Sequence, residues 1–214
     1  MIQIHRYEDQ IRAYEQYPIE TGKVLLYGSS FFANWGYERA KKQWYMASDG
    51  KLDVVNHGFG GATVEELLYH YHRLVLPYQP SAVVLRTGHN DTWVCTAEEA
   101  IILTQRLIDW LKNDFPGIRI VALKAFDHPS ATSEMLEKRR CYNRLLEELA
   151  RKDPQLYTVD LDPFFYQSKD DIGSGKNFRD VFISDGLHLT DSGYEQMASY
   201  LMPLVSEYLS ESTL

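Results

Sequence analysis

At 214 residues, the chain is long enough to bury about 70% of the surface its unfolded form exposes, and it reads as one domain over residues 1–214 that needs no staples. Thirty acidic against 22 basic residues give a formal charge of −8, which repels phosphate backbones and argues against nucleic acid as a partner. No apolar run reaches the ~20 residues that cross a bilayer before proline or charge interrupts it, so no integral membrane segment is expected.

The opening segment, Met1 to Asp9, alternates polar and apolar residues and lacks the continuous apolar core of a secretory signal. Cys95 and Cys141 form neither a CxxC nor a metal-ligand spacing and read as free thiols. Together these point to a cytoplasmic location. A short helix is predicted over Tyr7 to Tyr17, followed by the first of five apolar, β-branched strands, Val24 to Tyr27. The others are Leu52 to Asn56, Ala82 to Thr87, Ile118 to Leu123 and Leu156 to Asp160. Thr63-Val64-Glu65-Glu66 offers a capping box for a helix after the second strand. Amphipathic helices are predicted over Ala97 to Phe115 and Glu134 to Lys152, and a closing one over Thr190 to Leu209. Pro163 to Ser184, with Phe164, Phe165 and Tyr166, reads as a long loop beside the site.

Strand and helix alternate, which predicts an α/β fold: a three-layer α/β/α sandwich whose five parallel strands are joined by right-handed crossovers. In such sheets ligands bind beyond the carboxyl ends of the strands. Ser30 follows the first strand, Gly58 to Gly61 the second, Gly88 to Asp91 the third, and Asp185-Gly186-Leu187-His188 the fifth and its loop. Serine needs an imidazole to take its proton, and the imidazole needs a carboxylate to fix its tautomer. Ser30, Asp185 and His188 supply all three. Taken singly, each has a plainer role, since Ser29 could cap a helix, the glycines could form a turn, and Asn90, Asp91 and Asp185 all suit turns or helix starts. Asp91 is assigned that supporting role. Nothing about turns, however, requires all four sites on one sheet edge.

These blocks resemble the SGNH, or GDSL-type, serine esterase and acylhydrolase superfamily, and its bacterial Gly-Ser-Ser branch in particular. Gly28-Ser29-Ser30-Phe31 matches the first block, with serine in the aspartate position. Asn56-His57-Gly58-Phe59-Gly60-Gly61 matches the second, Gly88-His89-Asn90-Asp91 the third, and Asp185-Gly186-Leu187-His188 the fifth. The resemblance spans roughly residues 20 to 200. It implies a flavodoxin-like fold and Ser30, Asp185 and His188 as catalytic residues, with oxyanion donors from the Ser30 and Gly61 backbone N–H and the Asn90 carboxamide. Such donors, fixed in a dry site, are each worth about 3 to 4 kcal/mol to the transition state. The site is not an α/β-hydrolase elbow, because Phe32 stands where the second glycine belongs. Nor is it a dinucleotide loop, because Thr63 stands where a third glycine is needed.

The expected activity is hydrolysis of a short-chain carboxylic ester, such as an O-acetylated carbohydrate, through an acyl-enzyme. Lysophospholipid or thioester hydrolysis is the alternative, and a ligand-binding protein on the same fold the non-enzymatic one. The expected partner is a small-molecule ester; no cofactor and no metal are expected, and the sequence leaves oligomeric state open. Phe31, Phe59, His89 and Trp93 are candidate substrate contacts. With Phe32, Trp35 and the 163–184 aromatics, they could wall either an acyl chain or a sugar. His57 and His89 stand near the site, though solvation is the commoner fate of loop histidines. His70 and His72, two apart on a predicted helix, point to different faces.

Overall fold

The computed structural model describes residues 6–209, so Met1 to His5, the start of the segment read for a leader, lie outside the described residues. Strands β1 (Val24–Gly28), β2 (Val54–Gly58), β3 (Ala82–Arg86), β4 (Arg119–Leu123) and β5 (Leu156–Val159) form one parallel sheet in the order β2-β1-β3-β4-β5. Side chains alternate between the faces of a strand, and here both faces are covered. Leu25, Tyr27, Val55, Val83, Leu85 and Ile120 enter one core, while Leu26, Val54, Val84, Val121, Leu123 and Val159 enter the other. This is why the strands read as unbroken apolar runs.

The first core is closed by α1 (Glu8–Tyr14), α4 (Val64–Leu74), α6 (Ala97–Asp114) and α7 (Ser133–Ala150), through residues such as Ile11, Leu67, Leu107 and Leu146. The second is closed by α3 (Tyr37–Ala47) and α9 (Asp191–Leu209), through Trp44, Met197 and Leu201. Three short helices, α2 (Ser30–Ala33), α5 (Asp91–Val94) and α8 (Asp162–Phe165), follow the carboxyl ends of β1, β3 and β5. The capping box forms as expected: the Glu66 carboxylate accepts the Thr63 N–H at 2.9 Å and starts α4. Both cysteines are free.

Two expectations need correction. β2 lies two residues later than its apolar run suggests, because pairing with β1 sets its frame, Val24 opposite Val54 and Gly28 opposite Gly58. His57 is therefore a strand residue. The 163–184 segment is more than a loop: it contains α8 and antiparallel bridges from Tyr166 to Phe178 and from Phe182 to Leu189. Its rings do not wall a substrate site. Phe164, Phe165 and Tyr166 are buried, and Phe165 stacks on Phe126 with centroids 4.0 Å apart, covering the end of the sheet.

Candidate active site

β1 lies between β2 and β3, at the point where the chain changes direction across the sheet, and it ends one residue before Ser29. Ser29 holds the N-cap position of α2 in extended conformation, but its side chain makes no capping bond. Ser30 is the first residue of α2, so its backbone N–H has no acceptor within the helix. Its hydroxyl lies 3.0 Å from His188 Nε2, and Nδ1 of the same ring lies 2.6 Å from Asp185 Oδ2. A carboxylate only accepts, so Nδ1 carries the hydrogen and Nε2 is left to accept from Ser30.

The Asp185-His188 turn builds its own geometry. Asp185 Oδ1 accepts the backbone N–H of Leu187 at 2.8 Å and of His188 at 2.9 Å, while the His188 carbonyl accepts from Ile183 N–H at 2.8 Å. Burial pushes the Asp185 carboxyl up, but these N–H bonds and the His188 side chain outweigh it and hold the group below the usual carboxylate range. Asp185 is thus ionised at neutral pH.

Gly61 and Asn90 are brought together on the neighbouring loops. Gly61 has φ +73°, a conformation that favours glycine, and a Cβ there would sit 2.7 Å from the Tyr7 hydroxyl. The Asn90 carboxamide donates to the Ala62 carbonyl at 2.9 Å, which fixes its plane beside the Gly61-Ala62 turn. Asp91 has the supporting role expected: its two oxygens accept from Val64 N–H at 2.7 Å and Gly88 N–H at 3.0 Å, tying α4 to the turn after β3. The N–H of Phe59, two residues before Gly61, donates to the Gly28 carbonyl at 3.1 Å, two residues before Ser30.

The candidate substrate contacts divide. Phe31 and His89 line a small cleft with Ser30, His188, Leu187 and Tyr194. Trp93, on α5 one turn from Asn90, is 59% exposed and open to a ligand. Phe59 is fully buried among Tyr7, Tyr27 and His70 and offers no face to substrate; Phe32 and Trp35 are likewise core. His57 and His89 are not solvated but buried. His57 Nδ1 donates to the Leu74 carbonyl at 2.6 Å among the rings of Tyr14, Tyr37 and Tyr78, and burial pushes its pKa down to about 4. His70 is buried and His72 exposed, so they do not share a face.

The rest of the cleft and the groups behind it come from residues outside these motifs. Arg86, the last residue of β3, packs against the rings of Phe31 and Phe126, with its guanidinium carbon 4.9 and 4.6 Å from the two centroids. Behind it, Arg139 of α7 is only 1% exposed, and His128 comes from the loop after β4. A charge ending an apolar strand was the available signal for Arg86. The cleft is small, with about 10 Å³ open to the centre of a water molecule, about the room one water needs. A broader cleft of about 620 Å³, lined by Thr63, Glu65, Asp91, Val94, Cys95 and Ile102 among others, holds no member of the Ser30, Asp185, His188 set.

Residues 26–196 match the sequence profile of the GDSL-like lipase/acylhydrolase family. A stretch of 91 residues is 31% identical to the uncharacterized lipoprotein YqeF of Bacillus subtilis (strain 168), covering 39% of this chain and 37% of that protein's length. Among solved structures, a GDSL-like lipase from Bacteroides thetaiotaomicron VPI-5482 superposes with TM-score 0.72 at 14% identity, covering 96% of this chain and 99% of that one. Axe2, an acetylxylan esterase from Geobacillus stearothermophilus, gives TM-score 0.66 at 17% identity over 92% of this chain and 100% of its own. At these identities the structural likeness is one of fold.

Proposed function

We propose that this chain, which belongs to the GDSL-like lipase/acylhydrolase family and so is a hydrolase of ester bonds, cleaves a short-chain carboxylic ester through a covalent acyl-enzyme. The observation that carries the reading is the unbroken relay from Ser30 Oγ through His188 to Asp185, with contacts of 3.0 and 2.6 Å. Ser30 Oγ attacks the ester carbonyl while its proton passes to His188 Nε2. The resulting oxyanion takes hydrogen bonds from the Ser30 and Gly61 N–H and the Asn90 carboxamide. On collapse, the carbon–oxygen bond to the alcohol breaks and the leaving alkoxide takes the proton from His188. Water then attacks acyl-Ser30, gives its proton to His188, and the acid leaves as Ser30 recovers its hydrogen.

The cleft beside Ser30 supports a short acyl group, since its room for one water-sized group suits the methyl of an acetyl ester and not a fatty tail. The alcohol portion is proposed to be carbohydrate, with the exposed Trp93 ring offering a flat face to a sugar.

Ser30→Ala should lower turnover by about a millionfold with folding intact, and a fluorophosphonate should label Ser30 in the wild type. Across p-nitrophenyl esters from acetyl to decanoyl, kcat/KM should peak between acetyl and butyryl. A pocket that buried each added methylene would instead gain roughly 0.8 kcal/mol, about fourfold, per carbon. A steady rise through octanoyl would refute the short-acyl reading and favour lysophospholipid or thioester hydrolysis.

A further inference from the structure

The floor of the cleft beside Ser30 carries charge that the hydrolytic relay does not use. Arg86 and Arg139 are 3% and 1% exposed, and His89 stands between them with both ring nitrogens facing guanidinium groups. Nε2 lies 3.1 Å from Arg139 Nη2, and Nδ1 lies 3.4 Å from Arg86 Nη2. Burial and the two neighbouring cations hold His89 far below the usual histidine range, so the ring is neutral, with one N–H and one acceptor. Arginine only donates. One ring nitrogen can therefore accept, and the shorter contact identifies it as Nε2, bonded to Arg139. Nδ1 then carries the hydrogen and faces Arg86 Nη2 donor to donor.

The neighbouring groups leave this convergence uncompensated. Arg86 Nε has no hydrogen-bond partner among the described residues, and no carboxylate pairs with Arg86 there. Arg139 Nε and Nη1 also lack a hydrogen-bond partner among the described residues, but the charges of Asp127 and Asp162 act on Arg139, and no carboxylate acts so on Arg86. His128, whose ring centroid is 5.4 Å from that of His89, is pushed by burial and Arg139 to about 3 and is neutral too. The rings of Phe31 and Phe126 stand against the Arg86 guanidinium and touch each other edge to face, and neither supplies an oxygen to its N–H groups, which are left to take a ligand. A buried cation whose donors meet no acceptor is strongly disfavoured unless a counter-charge joins it.

We propose that the cleft beside Ser30 binds a small monovalent anion on the N–H groups of Arg86 and the Nδ1–H of His89. A halide fits the water-sized space whole, and a formate or acetate, the kind of acid that short-ester hydrolysis releases, enters it with one oxygen. Because Ser30 and His188 line the same space, the bound anion excludes the acyl group of an incoming ester. The site is thus a point of inhibition by halide or by product.

The test uses the full chain at one ionic strength in sodium gluconate, bromide, formate or acetate, gluconate being too large to enter. At ten times its Kd, an anion that binds should raise Tm by about 3 to 5 °C over gluconate and inhibit p-nitrophenyl butyrate hydrolysis competitively. Whichever of bromide and the carboxylates acts at the lower concentration identifies the occupant. Arg86→Met should erase the difference between salts. Should that variant fail to fold, Arg86→Lys, which keeps the charge and loses the planar fork, should weaken the anion at least tenfold. The anomalous signal of bromide in a crystal should lie between Arg86 and Ser30. Equal melting of the wild type in all four salts, or neither a bromide peak nor carboxylate density there, overturns the proposal. The inhibition arm rests on the esterase reading and the melting arm does not, so a salt effect that persists in Ser30→Ala separates the two.

Discussion

Asp185→Asn separates the proposed orienting role of the carboxylate from its structural one. The amide oxygen can keep the Oδ1 position and still accept from the N–H groups of Leu187 and His188. The amide nitrogen then falls where Oδ2 now sits, 2.6 Å from His188 Nδ1. Two donors cannot share that contact, so the hydrogen moves from Nδ1 to Nε2, which points at Ser30 Oγ from 3.0 Å and can no longer accept its proton. The wrong tautomer costs about 10⁴ in kcat, or about 5.4 kcal/mol of barrier. Stability should hardly change, because the Asp185 side chain is 42% exposed and its pair with His188 is open to water. Hydrolysis of p-nitrophenyl acetate and thermal melting, measured together, read the two effects. Asp185→Ala is the control: it also removes the acceptor that holds the turn, and should lose stability as well as activity. Turnover by Asp185→Asn within tenfold of wild type would refute the relay.

Asn90→Ala should lower kcat by about a hundred- to a thousandfold with little change in KM, since an oxyanion donor acts on charge formed in the transition state; a change confined to KM would make Asn90 a binding residue. Acid should destabilise the fold through His57. Its folded pKa of about 4 lies below the unfolded value of 6.5, so the unfolded chain binds a proton that the folded one does not, and stability is lost as pH falls from 6.5 towards 4. This residue's share is at most about 3 kcal/mol. His57→Asn, whose amide nitrogen stands where Nδ1 does and can still donate to the Leu74 carbonyl, should flatten that loss in denaturant titrations at pH 7, 5.5 and 4.

The strands were legible because a sheet covered on both faces needs apolar residues on both, and that requirement appears directly as runs such as Val24 to Tyr27 and Ala82 to Leu85. Ser30, Asp185 and His188 were legible as a proposed triad only jointly, because each alone suits a turn or a helix start while turns do not require all of them on one sheet edge. The frame of β2 was not, since its ends are set by the partner strand and not by its own composition. Ring burial was equally hidden: Phe31 and Phe59 both follow strand-end glycines, yet one lines the cleft and the other fills the core. Arg139 was the least legible of all. It stands in Lys138-Arg139-Arg140, a run that reads as a solvated helix face, and only the packing of α7 against the sheet turns its middle member inward.

The groups assigned to the chemistry come from three strand ends and the Asp185-His188 turn before α9, so the precision of the site depends on how these loops are tied to one another. Phe59 N–H to the Gly28 carbonyl couples the loop after β2 to the one that carries Ser30. Asn90 to the Ala62 carbonyl couples the two proposed oxyanion loops, and Ser130 N–H to the Gly186 carbonyl at 3.3 Å steadies the Asp185-His188 turn against the loop after β4. Asp91 shows why one of these ties calls for a carboxylate. It is buried, and burial pushes its carboxyl up against the N–H bonds that stabilise its charge. An asparagine would satisfy only one of those two N–H groups and turn its own N–H towards the other. The charge is therefore retained, despite its burial, because both of its oxygens must accept: one holds the start of α4 and the other the Gly88 turn, and Asn90 is set between them.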